Sequence, residues 1–320
     1  MKCAPLPLGI DIGAARVRVA HAHQTPQGRR VRAVAVRTIA PGASSSGNVA
    51  DAEYVGALIE DALAELNTKE RRCVCALGEP DGILRSIQLP AMKAHERERA
   101  SRYEASRYVS YPMSGAVVRL HRSPVPGRWM LGIARAEAVQ SRLAALRQAN
   151  VRPVAIDHES CVLARALPGF DAIVDIGLDR TTLHAIKDGV PFSFVASMGG
   201  ASVTRAIEEE LGLQPGAAEK RKRILGTAGA GEHARSALVG EIAKMLVAAR
   251  AVTAVGRIAL SGNGARLPGV ARDLEISCAV QVELPVSFAL RAAAYPEDVL
   301  RSAAPDWNLA AGLILWQRNA

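Results

Sequence analysis

A six-residue pattern, Asp-Ile-Gly-x-x-Arg, occurs twice in the chain and could bind phosphate. It begins at Asp11 and again at Asp175, 164 positions later. Glycine leaves no Cβ to block an approaching ligand, and successive backbone N–H groups in a tight turn can hold an anion. Mg²⁺ prefers one or two carboxylates together with water and phosphate oxygens. Two such turns facing each other would bind a magnesium–nucleotide complex, with Asp11 and Asp175 as the candidate metal-binding residues.

The same pattern also has a simpler interpretation as two ordinary turns. Short Asp-x-Gly turns are common, and a match of four residues in six is weak by itself. Both copies, however, follow a short apolar run and continue into alternating or apolar segments, residues 17–22 and 181–189. Such segments predict strands. We therefore expect each copy to form the tip of a β-hairpin, one in each half of the chain.

Composition excludes several classes of protein. The chain has 320 residues, 49% of them hydrophobic and 22% charged, which is ordinary for a globular protein with one large core or two domains. No window approaches 18 uninterrupted apolar residues, so no membrane span is predicted. Five cysteines without a C-x-x-C pair argue against a disulfide framework or a zinc site. Cysteines without a disulfide pattern favour a cytoplasmic location for the protein.

The formal net charge of +9 is spread along the chain and does not indicate a binding tail. Its densest segment, residues 95–107, mixes glutamate with arginine, as a solvated helix face does. Aromatic residues make up only 4% of the chain and no nucleic-acid-binding motif is present, so we expect no nucleic acid partner.

The order of elements predicts an α/β protein with an insert. A helix is expected over residues 51–66, and strands and helices from about 84 to 156 form a small α+β unit between the hairpins. Gly199 and Gly200 precede a helix whose free N–H groups and dipole would favour an anion. Further helices reach about residue 255, a strand follows with the turn Gly262-Asn263-Gly264, and an apolar helix ends the chain.

This order resembles the actin-like two-lobed ATPase architecture, with duplicated ribonuclease-H-like domains. Within it the chain resembles the PilM family of type IV pilus assembly proteins, relatives of the cell-division protein FtsA. The resemblance lies in residues 9–19, 89–113, 174–213, 217–222 and 260–270. It implies a first lobe over 1–165 with an FtsA-like insert at 84–156, and a second over 166–320. The second would hold a helical subdomain at about 200–255, with the final helix packing back on the first lobe.

The resemblance also implies which residues bind ATP and Mg²⁺. The first phosphate hairpin would use Asp11, Gly13 and Arg18, the last standing where the family usually has lysine, and the second would use Asp175 and Gly177. The remaining cofactor positions would be the turn at Gly199 and Gly200, the adenosine-flanking pair Glu219 and Lys222, and the adenosine loop Gly262, Asn263 and Gly264. Glu159 or Asp157 would position the attacking water.

Two departures from the family pattern bear on catalysis. Ala14-Ala15 stand where serine or threonine usually follows the first glycine, and the adenosine loop reads Gly-Asn-Gly where three glycines are usual. A hydrogen bond from a serine or threonine hydroxyl to a charged phosphate oxygen is worth roughly 1–3 kcal/mol. The loss of these hydroxyls affects hydrolysis more than binding, since the backbone N–H groups remain, so we expect slow or absent ATPase activity.

By this resemblance the protein would be a cytoplasmic scaffold, peripheral at the inner membrane. It would bind the N-terminal tail of a PilN-like membrane protein and link it to the pilus motor ATPases, with self-association left open. The alternatives are a small-molecule kinase of the same superfamily, a component of type II secretion or DNA uptake, and direct docking of the basic surface on membranes.

Overall fold

The computed structural model describes residues 6–26, 28–45, 48–287, 289–290 and 297–317. The first half of this part contains β1 Leu8–Ile12, β2 Arg16–Thr25, β3 Gly28–Thr38, β4 Ser44–Ser45, β5 Asn48–Val49, α1 Ala52–Glu65, β6 Arg72–Leu77, β7 Gly82–Gln88, α2 Ala94–Ala105, β8 Ala116–Arg122, β9 Arg128–Arg135, α3 Ala136–Gln148, β10 Arg152–His158 and α4 Glu159–Ala166. The second half contains β11 Ala172–Ile176, β12 Thr181–Lys187, β13 Val190–Ala196, α5 Gly200–Leu211, α6 Pro215–Leu225, α7 Glu232–Arg250, β14 Arg257–Ser261, α8 Val270–Cys278, β15 Gln281–Glu283 and α9 Glu297–Ile314.

Two five-stranded sheets repeat one topology. The first sheet has the order β3-β2-β1-β6-β10 and the second has the order β13-β12-β11-β14-β15. In this order across each sheet, neighbouring strands among the first three are antiparallel, and the last two strands run parallel to the third. The first hairpin (β1–β2) and the second hairpin (β11–β12) therefore occupy equivalent positions, and each carries one copy of Asp-Ile-Gly-x-x-Arg. The sequence repeat reflects a duplicated α/β unit.

Helices cover both faces of the first sheet. Ile10 lies in a core with Ile59 of α1 and Leu146 of α3. Ala20 lies in a separate cluster with Ala310 of α9. Because successive side chains of a strand point to opposite faces, the alternation in β2 supplies Val19 to the first cluster and Ala20 to the second. The helix expected over residues 51–66 is α1.

One face of the second sheet is covered by the helices that follow β13. Val174 and Leu183 are fully buried against Val203 and Ile207 of α5 and Ile242 of α7. The amphipathic spacing of α5, with apolar residues three and four positions apart, directs one face to this core. Helices α5, α6 and α7 all lie within the segment for which helices were expected.

A third sheet stands apart from the two larger ones. It has the order β7-β9-β8, all antiparallel, and α2 packs on it through Ala105, which shares a cluster with Leu131 and Ile133. This small sheet and α2 span residues 82–135. The expected insert reached residue 156, but α3 packs on α1 and β10 pairs with β6, so both belong with the first sheet. The lobe boundary near residue 165 stays a prediction.

Helix α9 lies across parts of both halves. It contacts β1, β2 and α4, and also β14. The contact with β1 is close, since a Cβ added to Gly9 would lie 2.6 Å from the carbonyl oxygen of Ala310. The helix continues through Pro305. Among the described residues, no helix has both the length and the apolar composition needed to cross a bilayer.

Candidate functional site

Residues from both sheets line one cleft between the two hairpins. All but two of the predicted site residues lie in its wall: Asp11, Gly13, Arg18, Glu159, Asp175, Gly177, Gly200, Glu219, Lys222, Gly262, Asn263 and Gly264. The other two are Gly199, which packs behind the second hairpin, and Asp157. The cleft thus brings together residues from distant parts of the chain.

The tips of the two hairpins have the same geometry. The N–H of Gly13 donates to the carbonyl of Arg16 at 3.0 Å, and the N–H of Gly177 donates to the carbonyl of Arg180 at 2.9 Å. A Cβ on Gly177 would lie 3.0 Å from that carbonyl oxygen. Glycine is therefore favoured by the closure of the turn itself.

The carboxylates of the two hairpins have different partners. Asp11 lies opposite Arg18 across the first hairpin, and its carboxylate accepts a hydrogen bond from that guanidinium at 3.2 Å. Burial raises the pKa of Asp11, and Arg18 opposes this. Asp175 lies opposite Thr182, and burial, reinforced by the charge of Glu159, raises its pKa to about 6. Asp175 is thus the carboxylate that a bound cation would favour more.

Of the two acidic residues expected to position water, one faces the cleft. Glu159, the first residue of α4, accepts hydrogen bonds from Arg180 at 3.1 and 3.2 Å. It lies over Gly78, where a Cβ would be 1.8 Å from its Oε2 atom. Asp157 lies outside the cleft, where it pairs with Arg165 and accepts from the N–H of His158.

The N-terminus of α5 does not present free N–H groups, contrary to expectation. The N–H of Gly200 donates to the carbonyl of Gly177 at 2.9 Å, and that of Ala201 donates to Leu178 at 2.8 Å. A Cβ on Gly199 would lie 2.5 Å from the carbonyl oxygen of Leu178. The tip of the second hairpin occupies the donors that an anion would need, so this helix end supports the hairpin.

Lys222 and Glu219 form a buried link between α6 and α5. The ammonium of Lys222 donates to the carbonyl of Gly200 at 2.9 Å and to the hydroxyl of Thr204 at 2.6 Å. It also pairs with Glu219 at 2.6 Å. Burial opposes ionisation of Glu219, but hydrogen bonds from Lys222, Thr204 and Arg223 outweigh it and lower the pKa. All three donors of the ammonium are engaged.

The loop 262–264 is shaped by contact with the second hairpin. Gly262 has a φ of +80°, and a Cβ there would lie 2.5 Å from the carbonyl oxygen of Ile176. A Cβ on Gly264 would lie 2.3 Å from Cγ2 of Ile176. The loop glycines are therefore needed for packing within the protein, whether or not a base approaches them.

Asp306 of α9 is a site residue that the sequence interpretation missed. Its buried carboxylate pairs with Arg16 of the first hairpin at 3.4 Å and with Arg266 at 3.3 Å. With its amide nitrogen turned towards this carboxylate, Asn263 donates to both oxygens at 3.2 Å. An acidic residue directly after a proline in an apolar helix was the available signal. The carboxylate joins the first hairpin to the loop 262–264.

Arg142 of α3 is the second missed residue. Its side chain is 1% exposed and lines the cleft. The buried face of α3 otherwise consists of Ala138, Ala145 and Leu146, so an arginine at helical spacing within an apolar stripe was the signal. Within the described part of the chain, its Nε and Nη1 atoms have no hydrogen-bond partner.

The cationic side chains of the cleft suit an anionic group, and the described residues form no closed metal site there. No cluster of three or more histidine, cysteine or acidic side chains with metal-binding geometry occurs among the described residues. A divalent cation would therefore need ligands from water and from the bound group itself, as Mg²⁺ does at phosphates.

Comparison with known proteins identifies the family. The family model described as type IV pilus assembly protein PilM matches residues 9–318. A chain of a solved PilM–PilN type IV pilus biogenesis complex superposes with a TM-score of 0.87 at 29% identity, covering 97% of each chain. The ethanolamine utilization protein EutJ from Carboxydothermus hydrogenoformans gives 0.64 at 15% identity, covering 98% of this chain and 90% of its own. MreB 5 of Spiroplasma citri, bound to AMPPNP, gives 0.56 at 13% identity, covering 98% and 95%.

The two structures of lower identity establish the fold alone. Together with the duplicated sheets, they confirm the predicted actin-like α/β architecture. The match of the family model over nearly the whole chain confirms the family that the sequence indicated. This chain belongs to the PilM family of type IV pilus assembly proteins.

Proposed function

We propose that this protein is a cytoplasmic ATP-binding scaffold of type IV pilus assembly. It binds the N-terminal segment of a PilN-like inner-membrane protein, and this partner keeps it at the membrane. Membership of the PilM family supports the pathway, and the relative at 29% identity was solved in a PilM–PilN complex. Contacts with motor ATPases and with further copies of the chain belong to the same proposal.

The observation that carries ATP binding is the pair of equivalent hairpin tips in one cleft. Gly13 and Gly177 close identical turns, and the residues after them line the cleft. Two such tips can hold a chain of phosphates from opposite sides. The similarity of fold to MreB 5, solved with AMPPNP, supports this assignment.

The residues of the cleft fit a magnesium–phosphate group. Asp175, which has a threonine opposite it and a raised pKa, gains most from a nearby cation. Asp11 is already paired with Arg18 and would act through that arginine. Mg²⁺, when bound, neutralises phosphate charge. The Nε and Nη1 atoms of Arg142, which have no hydrogen-bond partner among the described residues, also favour an anion in this cleft.

Nucleotide would act here as a clamp, with little turnover. Glu159 is the carboxylate placed to orient water, but both of its oxygens already accept hydrogen bonds from Arg180. Ala14-Ala15 offer methyl groups at the first tip where hydroxyls would contact phosphate. A ligand that contacts both hairpins favours the closed arrangement through differential binding, without a need for hydrolysis.

Equilibrium binding of Mg-ATP tests the proposal. We expect saturable binding by the wild type, its loss in an Asp11→Ala, Asp175→Ala double variant, and wild-type affinity in Glu241→Ala, which alters a partly exposed acid on α7, outside the cleft. A synthetic N-terminal PilN peptide, titrated with and without Mg-ATP, tests the partner. If the wild-type protein binds neither Mg-ATP nor the PilN peptide at saturating concentrations, the proposal is refuted.

The alternative of a small-molecule kinase has no comparable support. A kinase needs a free carboxylate base at the acceptor hydroxyl. In the described cleft, Asp11 is paired with Arg18, Glu159 with Arg180, and Asp306 with Arg16, which leaves Asp175 and Asp179 as the candidate bases. Membership of the PilM family therefore favours the scaffold over the kinase.

A further inference from the structure

Arg142 is a buried cation to which the described chain offers too few hydrogen bonds. Its side chain is 1% exposed, yet its Nε and Nη1 atoms contact no acceptor among the described residues. A guanidinium stays protonated in proteins. Buried charges are normally paired and hydrogen-bonded, because leaving water is costly. A partner from outside the chain would resolve this conflict.

The two carboxylates whose charges act on Arg142 are paired with other arginines. Asp11 and Glu159 both act electrostatically on the guanidinium. Asp11, however, pairs with Arg18 at 3.2 Å, and Glu159 pairs with Arg180 at 3.1 Å. Both carboxylates that act on Arg142 are therefore already paired with other arginines, and no acid of the described cleft pairs with it.

The position of Arg142 indicates which part of a nucleotide it would meet. It lies in the wall of the cleft near Asp11 and Glu159, on the side of the first sheet. The loop 262–264 belongs to the second sheet. A guanidinium offers a planar fork of donors that matches two phosphate oxygens. A nucleotide held by both hairpins would thus direct its phosphate end, and not its base, towards Arg142.

We propose that Arg142 binds the terminal phosphate of the nucleotide and so makes the site distinguish ATP from ADP. This inference rests on the proposed ATP-binding function. It adds a phosphate-binding residue on α3, a helix outside both hairpins. Because α3 begins at Ala136, directly after the last strand of the small sheet, the terminal phosphate also becomes linked to that sheet through one helix.

Arg142→Met separates this role from a structural one. Methionine keeps much of the side-chain volume and removes the unpaired charge, so the ligand-free protein should melt at a higher temperature than the wild type. ATP affinity should fall by about tenfold or more, the range for hydrogen bonds to a charged group. ADP affinity should change by less than about threefold, since the lost contact is to the terminal phosphate.

Two further variants complete the set. Arg142→Lys keeps the charge without the planar fork and should show an intermediate loss of ATP affinity. Arg147→Met alters an exposed arginine of the same helix and should leave both affinities and the melting temperature unchanged. An unchanged ratio of ATP to ADP affinity in Arg142→Met would overturn the proposal, and so would a lowered melting temperature without ligand.

Tripolyphosphate distinguishes failure of this inference from failure of the proposed function. If the wild type binds no nucleotide but tripolyphosphate raises its melting temperature, and Arg142→Met abolishes that shift, Arg142 is an anion site and the ATP assignment is wrong. If tripolyphosphate binds neither protein while ATP binds both equally, the ATP assignment holds and Arg142 has no part in it. If no phosphate compound binds the wild type, both proposals are wrong.

Discussion

Replacement of Asp306 tests whether α9 holds the first hairpin to the loop 262–264. Removing one partner of a buried ion pair costs about 3–5 kcal/mol, whereas an exposed pair contributes about 0–1 kcal/mol. The Asp306 carboxylate is 6% exposed, and its partners Arg16 and Arg266 are 22% and 47% exposed. Arg266 can regain water when the carboxylate is removed, so the loss comes mainly from Arg16 and from the amide of Asn263. We expect Asp306→Ala to lower the free energy of unfolding by about 2–4 kcal/mol.

Urea denaturation of the ligand-free protein measures this change. Asp306→Asn keeps the shape of the side chain but loses its charge, and it should fall between Asp306→Ala and the wild type. Glu241→Ala removes an exposed pair with Lys244 on α7 and should cost less than about 0.5 kcal/mol. If Asp306→Ala costs no more than Glu241→Ala, the carboxylate does not hold the two regions together.

Two further predictions concern Gly78 and Asp175. Because a Cβ on Gly78 would lie 1.8 Å from Oε2 of Glu159, Gly78→Ala should displace that carboxylate from Arg180 and lower stability by about 1–3 kcal/mol. In a Glu159→Ala background the same change should cost under about 0.5 kcal/mol, and equal costs in both backgrounds would show that the contact is unimportant. The raised pKa of Asp175, about 6 against an ordinary 3.8, means that the folded state binds more protons than the unfolded state between these values. The contribution of Asp175 to stability therefore falls as pH rises through that window. Asp175→Asn should have a higher melting temperature than the wild type at about pH 7, and the difference should shrink towards about pH 4. Mg-ATP affinity of the wild type should change in the opposite sense, weakening as the pH falls below about 6, and an affinity independent of pH would count against a cation at Asp175.

The hairpins were predictable because their determinants are local. Alternating apolar residues specify a strand, and the glycine of each Asp-Ile-Gly specifies a tight turn, so the positions of Asp11 and Asp175 followed from short segments. The pairing of β10 with β6 was not predictable, since parallel neighbours lie far apart in sequence and their register depends on the packed core. That is why the insert was expected to reach residue 156.

Which residues line the cleft could be predicted better than which contacts they make there. The pattern of glycines and acids marked residues that line the cleft, but it could not show that the carbonyls of Gly177 and Leu178 occupy the first donors of α5. It could not show either that Lys222 uses all its donors inside the protein. Arg142 escaped notice because an arginine in a helix is usually exposed, and only the packing of α3 on the first sheet reveals it as buried.

The contact between β1 and α9 has a consequence for biosynthesis. During translation β1 is made long before α9, so the backbone around Gly9, which Ala310 later covers, stays open while the rest of the chain is made. The carboxylate of Asp306 arrives equally late. The cleft wall is therefore complete only after α9, which carries Asp306, has been synthesised.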